Sequence, residues 1–212
     1  MGAGFQCFND DGVVQIDADW RCQALTRAGG FGASPNLQAL SVNGSNPLIF
    51  FRSDGRIHLT DRRQSGSTFT FYFYAQQAGG VFYVFDWSDE QTNVGFQVFD
   101  GNGALVFDAG QKYLRVAGME TLTANYTGSS SFRSMPGRLL AFLGSGLAFD
   151  YYSDQIDINM YDVNRSFSYL TGGNGGYYVN QAVDNYNSSV ALDGGSSAMC
   201  LIADVTNYPT NR

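Results

Sequence analysis

The amino-acid sequence predicts an all-β protein, either two tandem β-sandwich modules or one larger sandwich with internal pseudo-symmetry. Composition is the first reason: 17 Phe, 13 Tyr and 26 Gly in 212 residues, with only 15% charged residues, suit short strands with aromatic interiors and glycine turns. The second is periodicity, since no segment sustains a three-to-four-residue apolar spacing over a helix length. The third is a repeat. Gly4-Phe5-Gln6-Cys7-Phe8-Asn9-Asp10-Asp11-Gly12-Val13-Val14-Gln15-Ile16-Asp17-Ala18 returns without a gap at Gly95 to Ala109, identical at seven of fifteen positions and offset by 91 residues. Self-similarity at a fixed offset points to a duplicated unit, the alternative being two ordinary hairpins that share turn chemistry. A unit of this length fits a sandwich of about seven strands and about 100 residues, which divides the chain into modules 1–93 and 94–212.

Taken in order, each copy of the repeat reads as a β-hairpin. An apolar strand enters Asn9-Asp10-Asp11-Gly12 or Asp100-Gly101-Asn102-Gly103, and a second apolar strand leaves. Asn and Asp tolerate left-handed backbone and Gly adopts it at no steric cost, as a tight turn requires. Pro47 to Phe51, a turn at Gly55 and a second apolar run recur at Arg138 to Phe142 with Gly146 in the turn. Arg138 to Leu147 is therefore predicted as strand, because Gly144 and Gly146 interrupt any helical pattern. In Thr68 to Tyr74, Phe69, Phe71 and Phe73 share one face while Thr70, Tyr72 and Tyr74 share the other. A strand apolar on both faces needs two coverings: either it is packed on both sides with its phenol groups reaching partners or solvent, or Phe69, Phe71, Tyr72, Phe73 and Tyr74 form a candidate subunit interface.

Charge excludes one large class of functions. A net charge of −7 with a single lysine, Lys112, leaves no basic stripe to neutralise phosphates, so nucleic-acid binding is not expected. Arg52, Arg56, Arg62 and Arg63 cluster, but Asp54 and Asp61 are interleaved with them. No apolar run approaches bilayer-spanning length, and Met1 leads into the first strand without a basic and then apolar segment. These features predict folding in a cytosol without membrane insertion. Cys7, Cys22 and Cys200 have no metal spacing and read as free thiols, the alternative being a Cys7–Cys22 bridge.

Catalytic chemistry finds little support. His58 is the only histidine and alternates with Ile57 and Leu59 as an outward-facing strand residue would. A multi-histidine zinc site is thereby excluded, and any serine triad would depend on His58 alone. Asp100-x-Asn102-Gly103 opens like a calcium loop but lacks the remaining ligands. Asp154 and Asp157 are the nearest approach to a glycosidase pair, yet on a regular strand they stand on opposite faces. No catalytic, cofactor-binding or metal residue is assigned, and no cofactor is expected. Asn174 to Asn180 and Asp184 to Ser189 combine Tyr, Asn and Gly, a composition suited to contact loops. With the two tryptophans they supply candidate glycan or host contacts: Trp20, Trp87, Tyr177, Tyr178 and Tyr186.

The phrase Gly-Phe-Gln-Val-Phe-Asp-x-x-Gly-x-Leu-Val-Phe-Asp-Ala at Gly95 to Ala109, continued by Lys112-Tyr113-Leu114-Arg115-Val116, resembles a motif of small tail-associated structural proteins of tailed bacteriophages. The copy near the N-terminus and Asn46-Pro47-Leu48-Ile49-Phe50-Phe51 also resemble that family's layout. The resemblance covers roughly the first 116 residues. Ala18 and Ala109 stand where serine is common, and Cys7 replaces a bulkier apolar residue. The resemblance implies a non-enzymatic virion protein of the tail tip or baseplate, made in the bacterial cytoplasm. Its expected partners are other virion proteins, copies of itself, and a host surface glycan or receptor. A lectin-like glycan-binding sandwich and a head decoration protein are the alternatives.

Overall fold

The computed structural model describes residues 6–8, 10, 14–17, 21–123, 130–143, 148–157, 160–188 and 194–211. Every regular element among them is a strand. The first repeat forms β1 (Gln6–Phe8) and β2 (Val14–Asp17), and the second forms β9 (Gln97–Phe99) and β10 (Leu105–Asp108). The two hairpins have the same register. Gln6 faces Asp17, Cys7 faces Ile16 and Phe8 faces Val14, while Gln97 faces Asp108, Val98 faces Phe107 and Phe99 faces Leu105. Each skips one residue of its second strand at the same place, so both carry the same bulge.

Three strands, β4 (Ser34–Asn43), β6 (Arg56–Ser65) and β7 (Thr68–Gln76), form a small sheet with β7 in the centre. The remaining strands before residue 93 are β3 (Ala24–Phe31), β5 (Leu48–Ser53) and β8 (Gly80–Asp86). Those after it are β11 (Val116–Thr123), β12 (Ser130–Leu143), β13 (Ala148–Asp157), β14 (Met160–Gly172), β15 (Asn174–Ser188) and β16 (Gly194–Asp204). All nine join one sheet in the order β11-β16-β13-β14-β15-β12-β5-β8-β3. Both regions of the chain thus contribute to it. They meet where β5 pairs with β12, Phe51 opposite Phe142 and Phe50 opposite Leu143.

The alternation of β7 sets the sandwich. Phe69, Phe71, Phe73 and Ala75 are buried, and they pack with Val42 of β4 against Ile49, Phe51, Phe82 and Val84 of β5 and β8. Burying a Phe of this kind stabilises the fold by about 1.5–3 kcal/mol. On the other face of β5 and β8, a second core joins residues from both regions: Leu25, Ala28, Phe50, Tyr83 and Phe85 meet Ala141, Ala203, Val205 and Tyr208. The outer edge of β3 is bonded to the segment leading into β11: Leu25 N donates to Lys112 O (2.7 Å) and Leu114 N to Gln23 O (2.8 Å). The strands β3, β8, β5, β12, β16 and β11 therefore come round on themselves to enclose this core.

A third core, of Leu122, Leu140, Phe142, Leu170, Tyr177, Cys200 and Ile202, lies among β11, β12, β14, β15 and β16. Pairings from β16 to β13, β14, β15, β12 and back to β16 close a second ring. The bend in β12 makes both closures possible. Its first half pairs with β15, its last residues pair with β16 and β5, and the interruption falls at Met135 to Arg138, where Gly137 has φ 74°.

Candidate functional site

The second hairpin is fixed by one buried carboxylate. Asp108 Oδ2 accepts from Thr92 N (2.8 Å) and Gln97 Nε2 (2.8 Å), and Oδ1 accepts from Thr92 Oγ1 (2.6 Å) and Gly110 N (2.8 Å). Burial alone would raise its pKa, but the donors from Thr92, Gln97 and Gly110 prevail and lower it to about 2. The Tyr113 hydroxyl accepts from Asp108 N, and the Tyr113 ring stacks on Phe107. At the turn, Asp100 Oδ1 accepts from Asn102 N and Ala104 N at 2.8 Å each, and Gly103 takes φ 80°. A side chain at that φ would be strained. The carboxylate of the calcium-like sequence is therefore engaged in closing the turn.

Val98, Leu105 and Val106 are buried in the hairpin, whereas other apolar side chains at its start and on its first strand remain on the surface. Val94, Phe96 and Phe99 keep 63%, 50% and 42% of their surface exposed. Trp87, in the segment leading to this hairpin, is exposed as well, and its backbone N–H caps Asp86. Asp86 is itself buried and also accepts from Ser45 N and Asn46 N.

The structure disperses the residues expected to form an interface or a glycan site. Phe69, Phe71 and Phe73 are interior to the sandwich, because the small sheet is covered by β5 and β8 of the same chain. Tyr72 and Tyr74 occupy the outer face of β7, half-buried, with the Arg63 guanidinium 4.9 Å from the Tyr72 ring centre. Trp20 lies outside the described residues. Tyr186 pairs along the backbone with Val163, and its side chain lies outside them too. Asn174 to Ser188 is not a set of loops but the long strand β15, since the glycines form only its entry: Gly173 N donates to Gly176 O, and pairing with β14 runs on to Ser188.

Tyr177 and Tyr178 part company because successive strand residues point to opposite faces. Tyr177 is 3% exposed. Its hydroxyl donates to Glu120 Oε2 (2.6 Å), and Arg133 lies 3.6 Å from the other carboxylate oxygen. Burial, and then the bond to Glu120, push its pKa well above the usual phenol value. It is a core residue rather than a ligand contact. Tyr178, 46% exposed, stands on the outer face with its ring centre 4.9 Å from that of Phe132, its cross-strand partner, which is 50% exposed. Phe132 escaped the sequence reading because it is a lone aromatic in Ser130-Ser131-Phe132-Arg133-Ser134. An apolar residue alternating with serine was the available signal.

His58 lies on β6 opposite Tyr74, half-buried, while its neighbours Ile57 and Leu59 pack on the sandwich core. Asp154 faces Asp162 and Asp157 faces Met160, on either side of a bulge in β13. Their side chains lie outside the described residues. Among the described residues Cys7, Cys22 and Cys200 are not joined by disulfides, and burial raises the pKa of Cys22. Among the described residues no group of three or more His, Cys, Asp or Glu could hold a metal ion, and no helix is long and apolar enough to cross a membrane.

Fold and surface together define an antiparallel all-β protein whose aromatic residues divide between three cores and exposed patches. Compared with models of known families, with curated proteins and with solved structures, the chain finds no match.

Proposed function

We propose that the chain is a non-enzymatic structural protein of a bacteriophage virion, a tail tip or baseplate component that assembles with other virion proteins and with copies of itself. The observation that carries this reading is the division of labour within the repeat. Of the positions identical in both copies, Gln97, Gly103 and Asp108 hold the hairpin together. Phe96 and Phe99, repeated as Phe5 and Phe8, instead keep about half their surface exposed in the second copy. Aromatic residues present in both copies of the sequence, and exposed in the second, fit contact with a partner. The resemblance of the hairpin sequence to phage tail-associated proteins supports the setting, and the acidic net charge is against nucleic acid as the partner.

The reading is tested by the solution mass of the intact chain over a range of concentrations, alone and as Phe96→Ser/Phe99→Ser. Assembly through the hairpin gives a discrete oligomer that the double substitution dissociates. A monomer at every concentration counts against it.

A further inference from the structure

We propose that the outer face of β12, β15 and β14 around Phe132 and Tyr178 binds an uncharged, hydroxyl-rich chain, a neutral oligosaccharide or polysaccharide. Register assembles the face from two rungs. Phe132, Tyr178 and Thr171 are successive partners across the three strands, and Ser130, Asn180 and Tyr169 form the next rung. Residues opposite one another in antiparallel strands share a face, so three aromatic rings stand here with the Ser130 hydroxyl and the Asn180 amide, while Thr171 is buried and accepts the bond from Asn180. Ser134 continues the face opposite Gly176.

The rings are held in place rather than left loose. Gly176 has φ 154°, and a Cβ there would lie 2.5 Å from Phe132 Cζ. The missing side chain is what lets the Phe132 ring lie over the strand and tilt against Tyr178 at 49°. Asn180 Nδ2 donates to Thr171 Oγ1 (2.8 Å) and to the Tyr178 carbonyl (3.3 Å), which fixes the amide beside the rings. Arg56 caps the far end, 5.9 Å from the Tyr169 ring centre.

Chemistry selects the occupant. Aromatic faces accept the C–H face of a sugar ring, while the exposed Ser130 and Ser134 hydroxyls and the Asn180 amide oxygen match its hydroxyl edge. A dry protein interface would bury Ser130, Ser134 and Asn180 at the cost of desolvating them. The groups of the two rungs carry no charge, and the chain's net charge of −7 disfavours a polyanion. Small ligands take enclosed pockets. An open face with side chains spaced about 6.6–6.8 Å along each strand suits a chain laid across it.

The test uses the full chain on an array of neutral glucans, mannans and galactans, with retained sugars measured by calorimetry. At least one neutral glycan should bind, Tyr178→Ala and Phe132→Ala should each weaken it by about tenfold or more, and Tyr178→Phe, which keeps the ring, should retain it. The melting temperatures of all three should stay close to that of the parent, because both rings are half-exposed. The proposal is overturned if no neutral glycan is retained, or if both alanine variants bind as well as the parent. It is equally overturned if these substitutions change only the oligomeric mass, which would make the face a protein interface.

Discussion

Phe51 and Phe142 face each other across the junction of β5 and β12, 91 residues apart, which is the offset between the two hairpin sequences. Gln23 and Leu114, also 91 apart, meet in the same way at the edge of β3. Residues separated by that offset thus meet antiparallel at both junctions, and the two regions of the chain share one sheet and one enclosed core.

A shared core predicts one cooperative transition. Unfolding by denaturant should give coincident curves by tryptophan fluorescence and far-UV circular dichroism. Phe51→Ala, at a site 2% exposed, should lower the stability of the whole chain by about 3–5 kcal/mol. Two separated transitions would mean that the β5–β12 pairing does not couple the regions.

Asp108 makes the second hairpin sensitive to acid. A carboxyl whose folded pKa is depressed from 3.8 to about 2 stabilises the fold above the ordinary value, and that stabilisation is lost as pH falls from about 4 through 2. Asp108→Asn should cost about 1.5–3 kcal/mol at neutral pH and flatten the acid dependence. Amide exchange of Thr92 and Gly110, measured from pH 5 downward, reports the loss directly.

Tyr177 works at the other end of the scale. Its pKa is raised in the fold, so its contribution is complete below the ordinary phenol value of about 10 and is lost as the pH rises beyond it. Tyr177→Phe should remove about 1 kcal/mol and reduce the steepness of alkaline unfolding followed by tyrosinate absorbance.

Tyr83 predicts a change in the opposite direction. It is fully buried, and among the described residues its hydroxyl has no hydrogen-bond partner. Tyr83→Phe should leave stability unchanged or raise it by up to about 1 kcal/mol. A loss larger than this, read from the denaturant midpoint, would mean that the hydroxyl is satisfied after all.

Local chemistry made the hairpins legible, because an Asx-Gly turn between apolar runs has few other solutions. Their shared bulge was not, since nothing in Val14-Gln15-Ile16 or Leu105-Val106-Phe107 marks which residue drops out of register. The two apolar faces of Phe69 to Tyr74 were equally clear, yet sequence carries no sign of which partner covers each face. For the phenylalanine face that information lies in Ile49, Phe51, Phe82 and Val84, brought there by topology, while Tyr72 and Tyr74 stay on the outer face. The Tyr, Asn and Gly composition of Asn174 to Asn180 suggested a loop because propensity is local, whereas pairing with β14 and β12 is not. Tyr177 and Tyr178 could be separated only by knowing which face of β15 looks inward.

The most direct test of assembly is the mass of the intact chain by size exclusion with light scattering at several concentrations, with Phe96→Ser/Phe99→Ser alongside. A virion component that assembles through its hairpins should give a discrete trimer, hexamer or larger ring, reduced in mass by the double substitution. A strict monomer, identical in the variant, would contradict it.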